Sequence, residues 1–175
     1  MSSAATARRA RQTVRDMVLS IALIMAIVGV VLLFQHRSGR GVPTIDPSSA
    51  YAGARNAASY PVLVPRLPAT WRPTSARTQR SEDGHLTLRV GFLTPRAQYA
   101  GLVESDRPAA SLLGQELSPG VRPAGQLTID GRQWQRLPAP RAGDRAIART
   151  QDGVTYLVTG SAGLAELQTL AGSLS

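Results

Sequence analysis

Few residues in this chain are equipped for chemistry. There is no Cys, and the two His residues, His36 and His85, stand far apart. A thiolate nucleophile, a disulfide framework and a Cys-ligated metal are excluded, and no His cluster supports zinc. Glu82, Asp83 and His85 form the one stretch that combines two carboxylates with an imidazole. On an extended chain consecutive side chains diverge to opposite faces, so neither an acid–base pair nor a metal site follows from it. Glu82-Asp83-Gly84 reads instead as a polar turn between strands. The run Gly160-Ser161-Ala162-Gly163 lacks the spacing of a serine nucleophile elbow and opens a helix. Free backbone N–H groups there could receive an anion, but Ser161 as a cap or turn residue is the expected reading. No phosphate-binding loop and no dinucleotide fingerprint is present. The expectation is therefore no catalytic residue, no metal and no cofactor, with a non-enzymatic role ahead of an enzymatic one.

Trp71 and Trp134 are the most informative large side chains. Each is a candidate anchor, either of a binding surface or of the core. In a chain with only 5% aromatic residues, the core is the expected place for both.

The charge has to be taken apart before it is read. The 20 basic residues outnumber 11 acids for a net +9, and every one of the cations is Arg. A chain rich in Arg, Ala, Gly and Pro without Lys looks like the translation of a very GC-rich genome. The Arg residues are scattered, and neither a basic stripe with interleaved aromatics nor a known nucleic-acid module is visible. Nucleic-acid binding is not expected; net charge alone speaks to solubility and non-specific attraction.

Stepping outward from these residues, the strongest signal is residues 17–34, an 18-residue run without a charge. As a helix it would cover roughly 27 Å, close to the thickness of a bilayer's hydrocarbon core. Its apolar residues leave no polar stripe, which excludes an amphipathic surface helix. It is longer than the apolar part of a cleaved signal peptide, and no small-residue cleavage pattern follows directly, so an uncleaved signal anchor is expected. Arg8, Arg9, Arg11 and Arg15 precede the run, and Arg37 and Arg40 follow it. That bias predicts an N-terminus in the cytoplasm and the rest of the chain outside. The organisation read from this pattern is a basic tail over residues 1–16, an anchor over 17–34, a linker over 35–59 and an extracytoplasmic domain over 60–175. Asp46-Pro47 is placed to start a short helix in the linker.

Residues 60–72 carry Pro61, Pro65 and Pro68 among Val62, Leu63, Val64, Leu67 and Trp71. Proline forbids a regular helix there, and the apolar residues would be wasted in solvent, so this segment is expected to lie against the domain as a strap. Residues 85–94 place Leu86, Leu88, Val90 and Phe92 on one face of a half-buried strand, and residues 99–103 form a second. Residues 109–117 suit a short helix. Asp130-Gly131 and Asp152-Gly153 are two-residue hairpin signals. Trp134 is expected on the core face of the first hairpin, in register with Leu137 only across a bulge. Residues 164–174 close the chain as an amphipathic helix. Hairpins and half-apolar strands predict an α+β fold: an N-terminal transmembrane helix, then an antiparallel sheet with helices packed on one face.

The residues that carry a wider likeness are the stretches starting at Pro61 (PVLVPRLPATW), Thr74 (TSAR), Val90 (VGFLTP), Gln98 (QYAGLVESD), Asp130 (DGRQW) and Tyr156 (YLVTGSAGLAELQTLAGSL). With the Arg-rich start and the apolar run, they resemble the actinobacterial single-pass membrane proteins grouped under the domain of unknown function four-two-four-five. The resemblance spans nearly the whole chain. It implies the cell envelope of a GC-rich Gram-positive bacterium and carries no catalytic residue across. The expected role is a membrane-anchored envelope protein whose outward domain binds or supports another component. Its partners would be the lipid bilayer through residues 17–34 and an envelope protein or anionic envelope polymer. The alternative is an envelope enzyme or small-ligand carrier with a pocket between sheet and helices.

Overall fold

The computed structural model describes residues 43–174, together with Ile21, Ile24, Met25, Val28 and Gly29. The chain divides into two units, residues 1–41 and 42–175. In the first, the five described residues are helical, and Ile21, Ile24, Met25 and Val28 are exposed. Among the described residues no helix is long and apolar enough to cross a membrane. Most of the 17–34 run, and Arg8, Arg9, Arg11, Arg15 and Arg37, lie outside the described residues.

The second unit is a seven-stranded antiparallel sheet with three helices. The chain order is α1 (Ser48–Ala57), β1 (Arg72–Arg80), β2 (Leu86–Leu93), β3 (Tyr99–Ser105), α2 (Ala109–Glu116), β4 (Gly125–Ile129), β5 (Arg132–Leu137), β6 (Arg145–Gln151), β7 (Val154–Gly160) and α3 (Leu164–Gly172). The strands lie side by side as β1-β2-β3-β7-β6-β5-β4. The chain runs inward through β1, β2 and β3, crosses by α2 to the far edge, and returns through β4, β5 and β6 until β7 closes against β3. Every neighbouring pair is antiparallel.

Local chemistry explains the turns. Asp130 and Gly131 have φ of 48° and 74°, Asp152 and Gly153 have 51° and 77°. Positive φ at both central positions is the turn whose twist matches that of a hairpin, and Asp-Gly tolerates it best. α1 starts where Asp46 accepts the Ser48 N–H at 2.9 Å and the Ser48 hydroxyl at 2.8 Å. The cap position itself falls on Pro47, one residue later than expected, and Asp46 acts from the residue before it.

The two faces of the sheet carry separate cores. Leu86, Leu88, Val90, Phe92, Leu102, Trp134, Ile147 and Val158 belong to the first, which is covered by Tyr51 and Ala54 of α1, by the strap, and by Leu167, Leu170 and Ala171 of α3. Val103, Leu137, Ala146, Ala148 and Leu157 belong to the second, covered by Leu112 and Leu113 of α2. The expectation of helices on a single face is therefore corrected: α2 packs on the opposite face from α1 and α3. The physical reason is that the central strands β3, β6 and β7 are apolar on both sides, and a doubly apolar strand needs cover on both. The relation of Trp134 to Leu137 is the one expected of a strand without a bulge. Trp134 and Leu137 belong to different cores, and no bulge interrupts β5 between them. An odd separation along a regular strand puts two side chains on opposite faces.

The strap lies on the first face. Arg66 N–H donates to the Ser173 carbonyl at 2.9 Å, Pro65 bridges Leu174, and Val62 and Trp71 are buried. Trp71 meets Phe92 edge to face, with ring centroids 6.4 Å apart.

Candidate functional site

One row of side chains crosses the first face of the sheet. Leu88 of β2 faces Glu104 of β3, Glu104 faces Tyr156 of β7, and Tyr156 faces Arg149 of β6. Beyond Arg149 comes Trp134 of β5, which in turn faces Leu127 of β4. Two of these positions hold charged residue types where a strand's alternation calls for apolar ones. Glu104 is in phase with Ala100 and Leu102, and Arg149 is in phase with Ile147.

Glu104 is fully enclosed. Its Oε2 accepts the N–H of Leu63 in the strap at 3.0 Å, while its Oε1 is buried without a partner. Burial pushes its carboxyl up to about 8, against the smaller opposing effect of the Leu63 N–H. Three of the chain's four tyrosines gather round it. The Tyr60 hydroxyl donates to the Glu104 carbonyl at 3.3 Å. The hydroxyls of Tyr51, Tyr60 and Tyr156 are all raised, first by burial and then by the neighbouring Glu104 charge.

Arg149 is 8% exposed, and among the described residues it makes no ion pair. Its guanidinium sits between two rings, with its central carbon 5.3 Å from the Trp134 centroid and 5.2 Å from that of Tyr156. The quadrupoles of two aromatic faces replace part of the hydration a cation loses on burial. Its Nε is buried without a partner. Burial and then the nearby charge of Arg132 lower its pKa. Arg132 is held in place by donating to the Leu174 carbonyl at 3.1 Å.

These groups open into a cleft of about 280 Å3 between the strap and the β5–β7 end of the sheet. Its walls include Tyr60, Leu63, Arg132, Arg149, Asp152 and Tyr156. Two cations and two phenols thus converge on one concave surface, with Asp152 as the acid in its wall. The arrangement can hold a small anion by charge-assisted hydrogen bonds.

The residues singled out in the sequence fall elsewhere or serve this row. Trp134 is enclosed, with 1% exposure, and forms one wall of the Arg149 clamp. Trp71 is a core residue of the same face, packed against Phe92 of β2 away from the clamp. Glu82 and Asp83 are exposed in the β1–β2 turn; His85 instead lies 3.5 Å from Asp106, whose other oxygen accepts from Ser59. Ser161 accepts the Tyr99 N–H, and the N–H groups of Ala162 and Gly163 donate to Tyr99 and Gln98. Those donors are used internally, which answers the anion reading of that turn. No group of three or more metal-binding side chains occurs among the described residues. Glu104 and Arg149 were legible only as charged residues in phase with apolar neighbours, and Glu104 lies just past the strand end expected at residue 103.

Residues 9–174 match the family described as "Protein of unknown function (DUF4245)", and the chain belongs to that family. No curated protein matches the sequence. Among solved structures, a GTP binding regulator from Thermotoga maritima is similar at 14% identity, over 61% of this chain and 80% of that one, with a TM-score of 0.40.

Proposed function

We propose that this chain is a membrane-tethered binding module of the cell envelope, whose outward domain holds its ligand in the cleft between strap and sheet. The observation that carries the reading is Arg149: a nearly enclosed cation with no acid partner among the described residues, clamped between Trp134 and Tyr156 and facing a cleft. Enclosing a cation without an acid is unfavourable for folding, and binding is the use that compensates for it. The tether is residues 17–34, an uncharged 18-residue run with more Arg before it than after it. The Lys-free, Arg-rich composition accords with a single-pass protein of a GC-rich actinobacterium. An enzymatic reading would draw on Glu104, but that carboxyl is sealed in the core and does not line the cleft.

Protease treatment of intact spheroplasts tests the orientation: residues 60–175 should be digested and the N-terminal tail spared. Washing isolated envelopes at about 0.3 M salt, where the Debye length is roughly 6 Å, and cross-linking afterwards tests for a specific envelope partner. Protection of the domain, or the absence of any cross-linked species after the wash, would overturn the envelope-partner reading.

A further inference from the structure

The Arg149 guanidinium carbon stands 5.3 Å from the Trp134 ring centroid and 5.2 Å from that of Tyr156, so two rings flank its planar fork and leave a ligand the approach from the cleft. Nε itself is buried without a partner, which leaves the terminal nitrogens as the edge that can meet a ligand in the cleft. Edge-on approach by two coplanar oxygens is the geometry of a bidentate carboxylate. Charge narrows the class further. Arg132, Arg149 and Asp152 leave the cleft one net positive charge. A monoanion balances that; a doubly charged phosphate would leave excess negative charge beside Asp152. The walls flanking the two Arg residues include Leu63, Val154 and Leu174, which suit a compact apolar group rather than a second polar one.

We infer that the cleft is a binding site for a monovalent carboxylate borne on a small apolar group, with Arg149 gripping the carboxylate edge-on and Arg132 as the second cation. This deepens the binding-module reading and rests on it for its biological setting, but the site is defined by the residues themselves. Tyr156 lies in the same walls and its phenol stays protonated, so it adds no negative charge, while the Tyr60 hydroxyl is taken up by the Glu104 carbonyl.

The test uses the full chain in detergent micelles, titrated with isobutyrate and benzoate, with isobutyramide, benzamide and inorganic phosphate for comparison. Heat of binding and the Arg149 Nε–H resonance are the readouts. Both carboxylates should saturate and shift that resonance, while the neutral amides should leave it in place. Arg149→Lys keeps the charge but loses the planar fork, and should weaken carboxylate binding at least about tenfold. Arg132→Gln should weaken it by a smaller factor. Should Arg149→Met fail to fold, the Lys variant and the Nε–H shift still decide. A carboxylate no better than its amide, phosphate bound more tightly than carboxylate, no saturation by either carboxylate, or undiminished binding by Arg149→Lys would each overturn the assignment. Finding the domain on the cytoplasmic side would end the envelope reading and leave these titrations standing.

Discussion

The Leu63 N–H donates to Oε2 of Glu104 across 3.0 Å, so the strap that leads into the domain is fastened to a fully enclosed carboxyl on a central strand. The same strap is held again three residues on by Arg66, whose N–H donates to Ser173 after α3. These two fastenings differ in chemistry: one involves a titratable group and the other only backbone.

That difference makes stability depend on pH in a defined direction. The Glu104 carboxyl stands at about 8 in the folded chain, raised from 4.5 by burial. Between these values the folded state keeps a proton that the unfolded state has released. The unfolded state then binds fewer protons, so stability falls as pH rises from about 4.5 to 8, by at most about 1.4 kcal/mol per pH unit, and levels off above. Tyr51 of α1, Tyr60 of the strap and Tyr156 of β7 face this region and stay neutral through that window, since their hydroxyls are raised. Arg149 lies farther along the row, and Arg132 lies in the cleft wall with it. Urea unfolding at pH 5, 6, 7 and 8 should show this slope in the native chain and lose it in Glu104→Gln. Equal slopes in the two proteins would assign it to other groups.

Glu104→Ala should loosen the strap locally. It removes the acceptor of the Leu63 N–H, and a buried donor left alone costs about 1–3 kcal/mol. Hydrogen exchange at Leu63 should speed up, while Arg66, fastened to Ser173, should keep its protection. Uniform acceleration at both amides would mean that the strap opens as one piece.

Gly160 is required by close approach. A Cβ there would stand 2.2 Å from the Tyr99 carbonyl oxygen, at a φ of 152°. That carbonyl is fixed because it accepts the Ala162 N–H at 3.0 Å, and the Tyr99 N–H is fixed by Ser161. Gly160→Ala should therefore destabilise the domain by about 2–3 kcal/mol, the range of an overpacked site that cannot relax. A melting temperature equal to that of the native chain would contradict this account.

Six of the seven strands, both Asp-Gly hairpins, the strap and the closing helix were legible because each is written in local chemistry: alternation, paired turn residues, prolines among apolar side chains, spacing of leucines; β1 was not, because RPTSARTQR carries no apolar alternation. The two-sided cover was not. Val103, Ala146, Ala148 and Leu157 sit out of phase with the obvious apolar set, and only the assembled sheet shows that they form a core of their own under α2. The Arg149 clamp was hidden for a related reason. Trp134, Arg149 and Tyr156 come from three strands, and adjacency across strands is a property of register, which a hairpin turn fixes for one pair at a time. Arg132 and Arg149 were also two among 20 Arg residues, so residue type alone could not separate them from the solvated rest.

The separation of the two cores gives a prediction that tests the corrected architecture directly. Trp134 fills the first core at 1% exposure and Leu137 the second at 6%. They are three residues apart on β5, about 10 Å along the strand, and point to opposite faces. Trp134→Ala should cost about 3–5 kcal/mol and Leu137→Ala about 2–5 kcal/mol, each through the cavity it leaves. Because the side chains share no core, the free-energy losses should add to within about 0.5 kcal/mol when the changes are combined. Milder substitutions, Trp134→Phe with Leu137→Val, keep the double variant folded so that urea denaturation can measure the sum. Trp134→Ala with Arg149→Met is the contrasting pair, because these two residues touch across neighbouring strands. Their combined loss should depart from the sum, since removing either partner already breaks the clamp. Coupling between Trp134 and Leu137 as large as that between Trp134 and Arg149 would mean that the two faces behave as one core.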